Sequence, residues 1–183
     1  MPRTDTYRQR LWEHALGCFG YVTTQDAIDL EIPPGELPKL AEHGGLEHVA
    51  YGLYRFGQMP RAQLDQYAEA VLRVGRDAHL TGDTVLALHE LLPLAPRHVR
   101  VGVNRRTRAR FPKWLDVRQE KVPDADITIY DGIPSTTVAR ALVECKPYVM
   151  RTRLLEAARV AREKGLLTRL EEQEVLEELS ETG

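Results

Sequence analysis

The sequence predicts an α+β fold in two parts, and three observations carry that reading. Within residues 1–60, three short helix signals run into a hairpin signal, the order of a winged helix-turn-helix. After Pro60, helix and strand signals interleave, as in a small mixed α/β domain covering 61–183. The charge balance changes at the same place: residues 1–60 hold 5 Lys+Arg against 8 Asp+Glu, and the remainder holds 20 against 19. A chain of 183 residues suits one medium domain or two small ones, and 43% apolar content is enough to bury a core.

The first helix spans Thr6 to Gly17, with Tyr7, Leu11, Ala15 and then Cys18 and Phe19 at helical spacing; the Gly17–Gly20 region ends it. Tyr21-Val22 is a short extended link. Thr23 is placed to cap the second helix, with Asp26 three residues on and Ala27, Ile28 and Leu30 as the apolar face. Ile32-Pro33-Pro34-Gly35 turns into a third helix, Glu36–Glu42, which buries Leu37, Leu40 and Ala41 and stops at Gly44-Gly45. Leu46–Val49 and Leu53–Phe56, broken at Ala50–Gly52, alternate as a hairpin. Met59-Pro60-Arg61 reads as a linker.

The second part opens with helices Leu64–Val74 and Asp83–Leu91, the latter presenting Val85, Leu86, Leu88 and Leu92 before Pro93 and Pro96 close it. Strands are expected at His98–Val103, Trp114–Arg118 and Ile127–Tyr130. Arg105–Arg110 lies between the first two as a loop or hairpin tip. Ile133–Thr137 reads as a turn and helix start. Helices Val138–Cys145, Arg151–Lys164 and Arg169–Leu179 finish the chain, with Gly165 ending the second and Thr168-x-x-Glu171 capping the third.

Several function classes fall away. No apolar run approaches the roughly 20 residues that cross a bilayer, and Met1–Tyr7 leads into a charged amphipathic stretch rather than a signal peptide. No membrane partner is therefore expected, and the location is expected to be cytoplasmic. Two cysteines, Cys18 and Cys145, are too few for a disulfide framework or a zinc cluster. His14 and Cys18 share a helix face but supply only two ligands, and His43 and His48 straddle a glycine turn, so no metal and no cofactor is expected. Asp124 with Glu144-Cys145-Lys146 imitates a metal-dependent nuclease, yet that segment has helical spacing, which sends Glu144 and Lys146 to different faces. Phosphate-gripping glycine loops and Gly-x-Ser-x-Gly are absent, and Ser135 has no partner in sequence. A non-enzymatic protein is expected.

Recognition is better supported. A helix-turn-helix lays its second helix in the major groove while neighbours hold phosphates. The candidate DNA contacts are Thr23, Thr24 and Gln25 at the start of the second helix, Lys39 and His43 on the third, and His48, Tyr51 and Arg55 on the hairpin. That is thin for phosphate neutralisation, and replacing Lys39 and Arg55 by alanine is expected to weaken DNA binding. The strongest basic feature lies elsewhere: residues 97–121 carry nine cations against two acids. Their centre, Arg105, Arg106, Arg108 and Arg110, suits phosphate or an acidic protein face. The tail Glu171–Glu181 carries six glutamates, a solvated helix face.

Gly20-Tyr-Val-Thr-Thr-Gln-Asp-Ala27 and Leu40-Ala-Glu-His-Gly-Gly-Leu-Glu-His-Val-Ala-Tyr-Gly-Leu-Tyr-Arg-Phe56 together resemble the N-terminal domain of AbiEi-type antitoxins. Further on, Asp65-Gln-Tyr67, Leu80-Thr-Gly-Asp-Thr-Val-Leu-Ala-Leu-His-Glu-Leu91, His98–Val103, Gly132-Ile-Pro-Ser-Thr-Thr-Val-Ala-Arg140 and Gly165-Leu-Leu-Thr168 continue the resemblance in order. It implies an antitoxin of a type IV, abortive-infection toxin–antitoxin pair, with residues 61–183 as its antitoxin domain. Its winged helix would bind inverted repeats in its own promoter, as a homodimer, and repress the operon. Its second domain would neutralise a nucleotidyltransferase-like toxin without catalysis of its own. The third helix is less basic than in many relatives. The alternative is a stand-alone winged-helix regulator with a dimerisation or ligand-sensing second domain.

Overall fold

Thr6 starts the first helix as its position predicts: its hydroxyl accepts a 3.3 Å hydrogen bond from the Gln9 amide. Helix α1 (Tyr7–Leu16) opens a computed structural model that describes residues 6–92 and 96–180. Eight α-helices and two sheets are present among the described residues, a mixed α+β fold. The chain divides into two units, Met1–Gly75 and Arg76–Gly183. Pro93, expected to close a helix, and Glu181 of the acidic tail lie outside the described residues.

In the first unit, Phe19 and Gly20 take positive φ and turn the chain into β1 (Tyr21–Thr23). Helix α2 (Thr24–Asp29) follows, with the Thr23–Asp26 capping box complete. Helix α3 (Glu36–Glu42) and strands β2 (Glu47–Ala50) and β3 (Leu53–Arg55) come next. The sheet order is β1-β3-β2, with both outer strands antiparallel to β3. Val22 and Tyr54, paired across β1 and β3, join Leu11, Ala15, Ala27, Ile32, Leu37, Leu46, Phe56 and Met59 in one apolar core. Tyr21, Leu53 and Arg55 take the opposite face.

Helix α4 (Asp65–Val74) is bonded to that second face. The Tyr21 hydroxyl donates to Glu69 at 2.9 Å, and Arg73 donates to the Val49 carbonyl at 3.0 Å. The boundary expected at residue 60 therefore falls inside the first unit. Met59, expected in a linker, is 7% exposed and sits in the core.

The second unit contains β4 (Ala78–Leu80), α5 (Asp83–Leu88), β5 (Val99–Val103), β6 (Leu115–Gln119), β7 (Ile127–Tyr130) and β8 (Ile133–Thr136). Helices α6 (Val138–Glu144), α7 (Arg151–Glu163) and α8 (Arg169–Ser180) complete it. The sheet order is β6-β5-β4-β8-β7. Register places Val99, Val101, Val103, Ala78 and Leu80 on one face, and they join the buried Leu86, Leu142, Leu154 and Ala158 in the core. Arg100, Gly102 and His79 lie on the other, with Asp116 and Arg118 of β6 beside them.

Three expectations change here. Ile133–Thr136 is a strand rather than a turn: it pairs antiparallel with β7 and touches β4 at Ser135, and the helix waits for its Thr137 cap. Strand β4 was not visible in three residues. Arg105–Arg110 is no hairpin tip, because β5 and β6 run parallel and the arginines lie on the crossover between them.

Candidate functional site

The residues expected on DNA divide into three groups. Thr23, Thr24 and Gln25 are half-buried at the start of α2, and each makes a local bond. The Thr23 hydroxyl exchanges hydrogen bonds with Asp26, the Thr24 amide donates to the Gly52 carbonyl at 2.9 Å, and Gln25 donates to Asp29 at 2.9 Å. Gly52 must be glycine in this turn: its φ is +65°, and a Cβ would stand 3.0 Å from the Thr24 hydroxyl oxygen. That contact ties the hairpin turn to the start of α2.

Lys39, His43, His48 and Tyr51 form the exposed group. Lys39 pairs with Glu36 at 2.8 Å on α3, which partly neutralises it. His43 caps the C-terminus of that helix. His48 leans on Tyr54 with ring centroids 5.2 Å apart. Tyr51, at the turn between β2 and β3, is fully exposed at 102%.

Arg55 stands alone and corrects the expectation. Its side chain is 2% exposed, so it cannot reach DNA. The guanidinium donates to the carbonyls of Phe56, Met59 and Pro60 at 3.2, 3.0 and 3.2 Å and pairs with Asp65 at 3.2 Å. It also lies 5.6 Å from the Tyr21 ring centroid. Burial and the bond to Glu69 push the Tyr21 hydroxyl pKa up. This is an internal strut between β3 and α4.

In the second unit, Arg105, Arg106, Arg108 and Arg110 are all exposed on the β5–β6 crossover. Arg105 pairs loosely with Asp77 at 3.7 Å. It stands at a groove of about 650 Å³ that also holds Lys121 of the same basic stretch, together with His79, Asn104, Asp124 and Pro134, which sequence reasoning had not joined to it. Only the fold joins these residues, since they come from four separate segments.

The nuclease-like pattern does not assemble. Glu144 accepts bonds from the Thr81 hydroxyl (2.6 Å), the Gly82 amide (3.0 Å) and Arg140 (2.7 Å), while Lys146 donates to the Glu178 carbonyl. Gly82 makes this possible with φ +57°; a Cβ there would lie 2.5 Å from the Tyr148 hydroxyl. Arg100 stacks on the Tyr148 ring at 4.5 Å and bridges Asp83 and Asp116. These groups form a connected structural network. His14 lies 3.6 Å from Cys18 Sγ and 3.5 Å from Asp26. Among the described residues, no three His, Cys, Asp or Glu side chains converge as a metal site. Both cysteines are free. Among the described residues, no helix is long and apolar enough to cross a membrane.

No family model matches the chain, and no curated protein does. Among solved structures, it is similar to the RV2827C protein from Mycobacterium tuberculosis, with 14% identity and a TM-score of 0.43. That alignment covers 99% of this chain and 84% of the other.

Proposed function

We propose that this chain is a non-catalytic, cytoplasmic antitoxin of the AbiEi type. Its first unit is a winged helix-turn-helix that binds inverted repeats in its own promoter as a homodimer. Its second unit neutralises a nucleotidyltransferase-like toxin.

The observation that carries the DNA-binding half is the order α1-β1-α2-α3-β2-β3 with sheet order β1-β3-β2. In that arrangement α3 is the recognition helix, and the β2–β3 turn is the wing that presents Tyr51. Lys39 and His43 on α3, with His48 and Tyr51 on the hairpin, offer an exposed set for a groove and its flanking phosphates. Thr24, bonded to Gly52, holds wing and helix in register and contributes through position.

Few cations face outward on this unit, so affinity would rest on shape and dimer symmetry more than on charge. Each phosphate neutralised adds about 0.9 to the slope of log affinity against log salt, and a shallow slope follows. The basic crossover Arg105–Arg110 supports the toxin-binding half, because guanidinium forks grip acidic protein faces as readily as phosphates.

Gel-shift titration against the promoter fragment tests the first half. K39A/Y51A is expected to weaken binding by at least about tenfold with an unchanged melting temperature, since both side chains are exposed. Unchanged affinity would remove α3 and the wing from the interface. Co-expression with the adjacent gene product, followed by pull-down and growth rescue, tests the second half. Full rescue by the quadruple alanine variant of Arg105, Arg106, Arg108 and Arg110 would remove the crossover from the toxin contact.

A further inference from the structure

We propose that the groove at one end of the five-stranded sheet binds a nucleoside phosphate. Four observations lead there. The groove opens where the parallel strands β5 and β6 end, with Asn104 and Arg105 following one and Lys121 and Val122 following the other. The carboxyl ends of parallel strands are where open sheets place ligands, since chain leaving each strand there must splay apart.

The cations at this rim are available. Lys121 has no ion-pair partner among the described residues, and the Arg105–Asp77 pair is 3.7 Å long with both side chains more than 60% exposed. Such a pair contributes little and yields to a phosphate. Arg106, Arg108 and Arg110 continue the positive field along the crossover.

The groove also has apolar lining, made by the half-buried Val122, Ile127 and Pro134. Inorganic phosphate has no use for such a lining, whereas the face of a nucleobase does. The volume of about 650 Å³ matches a site for a small organic ligand.

The floor is fixed. His79 on β4 is 7% exposed at its side chain, and its Nε2, 3.4 Å from Glu120, has no hydrogen-bond partner. Both side chains lie over Gly102, where a Cβ would stand under 3 Å from each, so β5 admits them only because that residue is glycine. Burial opposes ionisation of Glu120, yet His79, Thr81 and Arg140 hold its carboxyl below the usual range. His79 thus lines the groove as a positioning residue, its imidazole held within 3.4 Å of the Glu120 carboxylate. Asn104 and Asp124 supply the neutral and acidic partners that a ribose or base edge requires.

This inference stands apart from the antitoxin reading, because it is tested on the full chain without DNA or toxin. Isothermal titration with ATP, adenosine and inorganic phosphate at about 150 mM salt is the experiment. Saturable ATP binding below about 1 mM is expected, with adenosine and phosphate each at least about tenfold weaker. R105A/K121A should weaken ATP at least about tenfold with an unchanged melting curve, both residues being exposed. R106A/R108A/R110A, outside the groove, should change it less than about threefold. Absent ATP saturation, equal binding by inorganic phosphate, or loss in the triple variant alone would each overturn the site.

Discussion

Replacing Arg55 by alanine separates the two roles open to an arginine at the end of a wing strand. On DNA, truncation would weaken operator binding and leave the fold intact. The structure places the opposite cost on the protein itself. Arg55 and Asp65 are 2% and 7% exposed at their side chains, and the guanidinium also serves three backbone carbonyls. Truncation leaves a buried carboxylate without its countercharge and three acceptors short of a donor. Breaking a buried pair from one side costs about 3–5 kcal/mol, against a whole-domain stability of about 5–15 kcal/mol. R55M/D65N, which removes both charges and keeps the stem over Tyr21, should recover at least about 1 kcal/mol of that loss. Urea unfolding reports it, followed by fluorescence: Trp12 packs edge-on against Phe56 at 5.0 Å in this core. If R55A unfolds within about 1 kcal/mol of the native chain and yet loses operator affinity tenfold, the strut reading is wrong.

Three further outcomes follow from the geometry. G82A should cost at least about 2 kcal/mol in calorimetry, because it combines a left-handed φ with a collision at the Tyr148 hydroxyl; G132A, equally left-handed but in open space, should cost less. Burial pushes the Cys145 thiol from about 9 up to about 12. A raised folded pKa means stability that is whole at neutral pH and lost as pH climbs past the ordinary thiol range, so the wild type should lose melting temperature faster than C145A between about pH 9 and 11. R73A should lower unfolding stability by about 1–2 kcal/mol, since it deletes the bonds to Glu69 and the Val49 carbonyl.

Local chemistry was legible from the sequence wherever it acts within a few residues. The Thr23–Asp26 box and the Thr168–Glu171 box each cap the helix their spacing predicts, and the first helix begins at Thr6 as expected. Gly165 takes a positive φ after α7. Strands β4 and β8 escaped because three or four residues hold too little periodicity, and Pro134 imitates a turn. That proline is tolerated because β8 and β4 share only the Leu80–Ser135 pairing. Parallel pairing of β5 and β6 leaves no mark at all, since a parallel ladder is chosen by the rest of the sheet. The groove was illegible for the same reason.

The misplaced boundary and the misread arginine are one error with one cause. Alternation across Leu53-Tyr54-Arg55-Phe56 correctly says that Arg55 faces away from the apolar core of Tyr54 and Phe56. A surface hairpin would then leave Arg55 in water. The inference fails because α4 lies on that second face, and the sequence shows α4 as an amphipathic helix without saying which unit its apolar side belongs to. Once Asp65 and Glu69 are set against β1 and β3, an arginine on the central strand has a carboxylate to meet, and Tyr21 has an acceptor for its hydroxyl. Burial of Arg55 therefore depends on α4 being docked. A truncation at residue 60 would strip its countercharge and uncover the face, because the first compact unit runs on to Gly75.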